Sequence, residues 1–334
     1  MRSDDFTWRD GERTITFKRG AIVEASRSLD WQGWKDYELL STERALAGAP
    51  EALVEGAATI HVVPPGPVNE VSAELFRSVS SDDLVALGGG RVIDSAKAIA
   101  AVRGGRVAAL PTTLSGAEMT QIHKLPNGHE ADRLHRPALV FADPHAMTGL
   151  PERELRASAM NALAHGADSL YTPLANPVSR LTALEGARLI ALGLDSEPKG
   201  NGRVNLALGS ILCGHALDSA LFSLHHVMCQ TLVRTLRTPH AETNAAILPR
   251  AMEALRERAP DEIAALADAL GTKPAEIGSR IDALAGGRRA LGGLGADRER
   301  IDEAVGAMLE RGELGMTPAP PGAEELREIV ESAW

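Results

Sequence analysis

The sequence predicts an α/β domain followed by an all-helical domain. Three observations carry the prediction. Over about the first 150 residues, short apolar runs of strand length alternate with stretches of helical spacing. Beyond about residue 150, strand signals all but vanish and helical periodicity takes over. A chain of 334 residues makes one large domain or two modest ones and is ample to bury a core. The expected division is 1–150 and 151–334.

The elements follow in order. Residues 13–17, Arg-Thr-Ile-Thr-Phe, alternate polar and apolar as a half-buried strand does. Residues 37–42 read as a second strand, and 58–63 as a third, stopped by Pro64-Pro65-Gly66-Pro67. Residues 83–87 form a fourth that runs straight into Gly88-Gly89-Gly90. Val92 to Val102 has helical spacing, and residues 106–110 are a fifth strand ended by Pro111. Such alternation suggests a mostly parallel sheet. Pro151 reads as a proline in the first turn of a helix. Val204 to Val233 is largely apolar, as in a buried helix or helix pair. Shorter amphipathic helices are predicted over 260–270, 274–284, 297–309 and 323–334, with a glycine-rich loop over 286–295.

Composition removes several classes. Hydrophobic residues are 44% and charged residues 24%, which excludes an intrinsically disordered chain. With 45 acidic against 35 basic residues the net charge is −10, so nothing draws the whole chain to a phosphate backbone, and nucleic acid is not an expected partner. Two cysteines, Cys213 and Cys229, make neither a disulfide framework nor a cysteine-rich zinc site. The charged start, Met1 to Asp5, is no secretory signal, and no run of 18 apolar residues predicts a membrane span. A reducing cytoplasm is the expected compartment.

Two loops suggest a nucleotide. Strand, triple glycine and helix follow one another at Gly88-Gly89-Gly90-Arg91-Val92-Ile93-Asp94. Glycines let backbone N–H groups approach a phosphate, and the helix adds its positive end. The same sequence also suits a tight strand-to-helix turn, and Asp94 with Lys97 also suits an exposed i, i+3 pair. After the next strand, Thr112, Thr113, Ser115 and Gly116 suit a ligand in the sheet's crevice, or a loop that caps its own backbone.

The histidines form a second constellation. Asn161 and His165 are i, i+4 and share a helix face, with Asp168 near it. His226 and Gln230 are also i, i+4, while His225 points roughly 100° away from His226. Thr238-Pro239 reads as an N-cap and first helical position, placing His240 in a first turn. Imidazoles facing one point bind a divalent metal or an anionic substrate; alternatively each is a hydrogen-bonded core histidine.

Together these segments resemble the iron-containing alcohol dehydrogenase family, and within it the maleylacetate reductase subgroup. The matching motifs are residues 88–97, 111–120, 160–171, 224–232, 238–249 and 317–320, in family order over nearly the whole chain. The resemblance implies a Rossmann-like nucleotide-binding α/β domain plus an all-α C-terminal domain, the dehydroquinate synthase-like fold, with the site in the cleft between them. It implies that Gly88, Gly89, Gly90, Asp94, Thr112, Thr113 and Ser115 contact NADH or NADPH. It places the family's metal positions at Asn161, His165, His226 and His240, for iron or zinc. Asn161 stands where the alcohol dehydrogenases have Asp, the maleylacetate reductase pattern, and a neutral amide weakens metal affinity. The catalytic set it implies is His165, His226, Gln230 and His240. It also implies a homodimer, and the alternating strand 13–17 suits an intersubunit sheet.

Several positions depart from the family. Gln230 replaces a usual His, and glutamine orients a carbonyl but does not titrate near neutrality. Val233 and Arg234 replace glycines, Lys18 replaces another, and no lysine lies between 125 and 198. The chain is shorter than relatives around 43–57, 128–137 and 195–201. The reading that follows is a NAD(P)H-dependent reductase of a small carbonyl compound or carboxylate. Two alternatives stand beside it: a repurposed cyclase, lyase or isomerase without net redox chemistry, and a non-catalytic relative.

Overall fold

Several strand sequences have no polar face. Leu39 and Leu40, Leu84 to Leu87, Val107 to Leu110, and Leu139 to Ala142 are all buried, as a parallel sheet covered by helices on both sides requires. The computed structural model describes residues 6–10, 13–196 and 200–334. Its strands are β1 (Phe6–Asp10), β2 (Arg13–Phe17), β3 (Glu38–Ser41), β4 (Thr59–Val62), β5 (Asp83–Gly88), β6 (Arg106–Pro111) and β7 (Leu139–Ala142). They form one sheet in the order β1-β2-β7-β6-β5-β3-β4. Only β1 runs antiparallel to its neighbour.

All five strands read from the sequence are present, each within a residue or so of its expected bounds. β1 and β7 were not foreseen. β7 is four apolar residues without alternation, and such a run does not distinguish strand from buried helix. Strand 13–17 lies inside the sheet, between β1 and β7, not at an edge that a second chain could extend. The charged start at 1–5, and residues 197–199 of the shortened 195–201 stretch, lie outside the described residues.

The chain divides into two compact units, Met1–Leu150 and Pro151–Trp334. In the first, the helices are α1 (Ala21–Trp31), α2 (Glu43–Leu46), α3 (Glu51–Glu55), α4 (Val68–Leu75), α5 (Gly90–Arg103) and α6 (Pro144–Met147). Alternate strand residues feed two separate cores. Leu84, Ala86, Val107 and Ala109 pack with Val71 of α4 and Ile93 of α5. Val85, Leu87, Ala108 and Leu110 pack with Ala25 and Leu29 of α1. Each buried Leu or Val contributes roughly 1.5–3 kcal/mol. The strand order reverses between β3 and β5: β4 lies on one side, and β6 and β7 on the other. Ser41 stands opposite Leu87, and Gly88 opposite Pro111, so the loops leaving β3, β5 and β6 emerge at one edge. Ligands of open α/β sheets bind at such a reversal.

The second unit is helical: α7 (Glu152–Asp168), α8 (Pro177–Asp195), α9 (Asn201–Ala220), α10 (Leu224–Leu236), α11 (His240–Ala254), α12 (Pro260–Ala269), α13 (Ile277–Leu284), α14 (Ile301–Leu309) and α15 (Ala323–Ser332), with short 3₁₀ turns between some of them. α8 and α9 approach with their backbones nearly touching. A Cβ on Gly186 would stand 2.9 Å from Gly209 O and 2.6 Å from Cys213 Sγ, so only glycine permits this crossing. The expected helix or helix pair over 204–233 is a pair, α9 and α10, bent by 99°. The break falls at Leu221, whose φ is 59°. No single helix among the described residues is long and apolar enough to cross a membrane. Pro151 and Pro239 are N-cap residues, one position earlier than the first-turn placement expected of them.

Candidate active site

The glycine turn and the threonine loop meet. Gly88 ends β5, Gly89 is the N-cap of α5, and Gly90 begins it. A Cβ on Gly89 would lie 3.0 Å from Thr113 Cγ2, and one on Gly90 3.1 Å from Ser115 Cβ. A methyl at either glycine would press on the neighbouring loop, so glycine suits the close approach of the two loops. The N-cap Gly89 offers no side chain to the first turn of α5; its carbonyl takes the N–H groups of Val92 and Ile93, and a bare helix start of this kind suits an anion. Beside it lies a cavity of about 810 Å³ whose wall includes Thr42, Gly89, Gly90, Arg91, Thr112 and Thr113. Small-molecule sites span roughly 300–1,000 Å³. Thr113 Oγ1 is buried with no partner among the described residues, which marks a hydroxyl awaiting a ligand. An orphaned hydroxyl, bare glycines and an open helix N-terminus at the sheet's reversal fit a dinucleotide.

Not every expected contact lines that cavity. Gly88, Asp94 and Ser115 are absent from its wall. Asp94 instead pairs with Lys97 at 2.7 Å. This pair is not exposed: Lys97 is fully buried, and its Nζ donates to the carbonyls of Ala117, Thr120 and Ile122 at 2.8, 2.9 and 3.1 Å. Burial raises the Asp94 carboxyl, against the pull of Lys97. Close by, Glu118 is buried with neither carboxylate oxygen hydrogen-bonded. Burial pushes its pKa up to about 7, although its own backbone N–H, then Lys97 and Arg13, oppose that.

The histidine cluster is built by α7, α10 and α11. α7 presents Asn161, His165 and Asp168. Asp168 Oδ2 accepts the backbone N–H of Ser223 and of His226, each at 3.1 Å, and His226 Nδ1 at 2.7 Å. The Tyr171 hydroxyl donates to its other oxygen. This carboxylate thus caps α10 and fixes one of its side chains at once. Burial raises the Asp168 pKa, but the bond and charge of His226 outweigh that and hold it down to about 2. The ionised acceptor keeps the His226 proton on Nδ1 and leaves Nε2 as a lone pair, buried without a partner.

The other rings gather round. His165 stacks on His226 with centroids 5.1 Å apart, and His225 meets it edge-on at 5.0 Å. Burial, then the neighbouring His226, drives the pKa of His165 well below its usual value and that of His225 to about 3. Both are neutral at physiological pH. Asn161 and His240 are joined by a residue the sequence reading did not single out. Asn244 Nδ2 donates to Asn161 Oδ1 at 3.0 Å and to His240 Nε2 at 3.1 Å. Gln230 Oε1 accepts from Arg311 Nη1 at 2.9 Å.

For a divalent metal, the expected positions offer three imidazoles and one amide oxygen. His226 fits the role: a carboxylate holds one ring nitrogen, and the other lone pair is buried and unpartnered. His165 Nδ1 is likewise buried without a partner. The donor set suits a borderline ion, but brings no charge of its own. Among the described residues, the ligand atoms drawn together within 4.8 Å are those of Asp168, His225 and His226; there Asp168 is already occupied as the cap of α10.

The fold and these side chains define a nucleotide-using enzyme with a histidine-lined helical site, and comparison with known proteins narrows the class. Residues 156–334 match the family described as Fe-containing alcohol dehydrogenase, C-terminal. The chain is 32% identical to a maleylacetate reductase from Burkholderia cepacia, over 96% of this chain and 95% of that protein. The solved maleylacetate reductase from Rhizobium sp. strain MTP-10005 superposes with a TM-score of 0.84 at 29% identity, covering 100% of this chain and 99% of that one. An iron-containing alcohol dehydrogenase from Corynebacterium glutamicum gives 0.86 at 29% identity, over 96% and 94%. The chain belongs to the iron-containing alcohol dehydrogenase family, and it is an oxidoreductase.

Proposed function

We propose that this protein is a NAD(P)H-dependent reductase of a small oxo acid, of the kind represented by maleylacetate reductase. The observation that carries the reading is the buried, unpartnered Thr113 hydroxyl beside the glycine N-cap of helix α5. Residues 1–150 serve as the nucleotide domain, and residues 151–334 carry the substrate site. NAD(P)H, when bound, would give a hydride to the electrophilic carbon and leave as NAD(P)+, with a proton from water completing the reduction.

The chain's own residues bind and orient. Gly89, Gly90, Thr112 and Thr113 receive the pyrophosphate through backbone N–H groups and hydroxyls. Gly88 and Ser115 shape the turn behind them, and Asp94 acts through Lys97 on the 117–122 segment. His226 keeps its proton on Nδ1, against Asp168, and presents Nε2 to the substrate side. The His226 lone pair would act on the carbonyl oxygen through a bound cation, N–H groups of His165 and His240 would donate to that oxygen, and Gln230 orients Arg311. Asn161, His165, His226 and His240 are the residues that would hold a divalent ion, which would supply Lewis acidity there; Asn161 Oδ1 and His240 Nε2 now share Asn244 Nδ2.

The full-length similarity to named reductases favours this over a non-redox enzyme or a non-catalytic relative. The reading includes a homodimer in a reducing, cytoplasmic compartment. Its support is two unpaired buried thiols, Cys213 and Cys229, and sheet edges at β1 and β4 open to another strand. The experiment is a fluorescence titration with NADH and with NADPH, then a screen of oxo acids with chelator controls. Saturable binding and substrate-dependent cofactor oxidation are expected. A folded protein that binds neither cofactor would overturn the reading.

A further inference from the structure

Arg311 stands at the head of the 3₁₀ turn Gly312–Met316. Its Nε and Nη2 donate to Glu313 at 3.3 and 2.8 Å, and its Nη1 donates to Gln230 at 2.9 Å. The guanidinium lies 5.8 Å from the Phe222 ring, which packs 5.3 Å from the His226 ring. Gln230 is one turn beyond His226 on α10. The side chain that departs from the family's histidine is therefore the one that fastens an arginine beside the cluster.

A guanidinium has five N–H groups. The bonds to Glu313 and Gln230 use three of Arg311's, leaving one on Nη1 and one on Nη2, and a carboxylate takes such a pair two-pronged. The side chain is 17% exposed, so it is reachable yet held in one orientation. Arg153 and Arg289 of this unit both turn to Glu242. Along α10, His226, Gln230 and Arg234 follow at i, i+4 and i+8, running from buried to exposed.

We propose that Arg311, seated by Gln230 and Glu313, binds a carboxylate of the substrate and sets this site's preference for oxo-dicarboxylates over neutral aldehydes. The inference rests on the reductase reading and names its substrate class. Arg311 touches the substrate; Gln230 is a positioning residue. A glutamine suits that work, because its amide oxygen accepts from a guanidinium at every pH, whereas a protonated histidine would repel it.

The test is initial-rate kinetics with three probes: an oxo-dicarboxylate, an oxo-monocarboxylate of equal length, and a neutral aldehyde of similar size. Arg311→Gln should raise KM for the dicarboxylate by about 10- to 100-fold, the range of a lost charge-assisted bond. The kcat should move far less, and the aldehyde should lose little. Arg311→Lys should recover part of the loss, and Gln230→Ala should give a smaller KM rise of the same sign. Equal losses on all three probes would overturn the proposal. If Arg311→Gln fails to fold, Arg311→Lys carries the same KM comparison. If the wild type reduces none of the probes, the reductase reading fails, and thermal shift with adipate reads the anchor separately. A shift in the wild type that the Arg311 variants lack would keep the anchor, and no shift in the wild type would remove it.

Discussion

Replacing Glu118 by glutamine gives a sharp test of the electrostatics behind the threonine loop. Its carboxyl is buried and unpartnered, with a pKa raised from 4.5 to about 7. Below the unfolded value, both the folded and the unfolded chain hold the proton, and the group costs nothing. Between 4.5 and about 7 the unfolded chain releases the proton while the folded chain keeps it, so stability falls as pH rises. Above that window both are ionised and the full difference is in place. The shift, 7 − 4.5 = 2.5, corresponds to about 3 kcal/mol at 1.36 kcal/mol per unit. Glu118→Gln is neutral at every pH and nearly the same shape. Urea unfolding of both proteins should therefore show the variant gaining on the wild type by up to about 3 kcal/mol between pH 5 and pH 8. Any fixed cost of the amide cancels in that comparison. A difference that stays flat from pH 5 to pH 8 would refute the buried, proton-retaining carboxyl.

Three further outcomes are expected. Gly89→Ala places a methyl 3.0 Å from Thr113 Cγ2 and 3.2 Å from its hydroxyl; NAD(P)H titration should show at least tenfold weaker binding, about 1.4 kcal/mol, with the fold intact by circular dichroism. Asp168→Asn removes a carboxylate whose pKa is held at about 2 against 3.8, so it should cost about 2 kcal/mol at pH 7 by urea unfolding. That deficit should shrink as pH falls from 3.8 toward 2, where the wild-type carboxyl also takes a proton, and a pH-independent deficit would count against the ionised cap. Arg44→Ala changes the cavity wall next to Thr42, at the end of β3. If this arginine meets a ribose 2′-phosphate, NADPH affinity should fall about tenfold while NADH affinity holds; equal effects on both would dismiss that role.

Much of the architecture was legible because strands and helices leave different spacings. Strands 13–17 and 83–87 could be read directly, and so could the switch to helical periodicity near residue 150. β7 was not legible, because four buried apolar residues carry no period. In the site, i, i+4 spacing correctly put Asn161 with His165 and His226 with Gln230 on shared helix faces. Spacing has nothing to say about partners that are distant in sequence. Asn244 reaches Asn161 across 83 positions, and Arg311 reaches Gln230 across 81. Asp168 was visible only as a neighbour of the His165 face, and its role as the cap of α10 depends on the bend at Leu221. The Asp94–Lys97 pair was legible from its i, i+3 spacing, but its burial was not, because that depends on the carbonyls of the 117–122 segment that receive Lys97.

That lysine has a thermodynamic consequence for ligand binding. By tying three carbonyls of the 117–122 segment, Lys97 holds the chain just beyond Thr112, Thr113 and Ser115 in place before any nucleotide arrives. Immobilising a residue's backbone costs roughly 1–2 kcal/mol of conformational entropy, and here folding has already met that cost. Nucleotide association should therefore behave as docking into a rigid recess, with fast, single-phase kinetics and calorimetry free of a large opposing loop-ordering entropy.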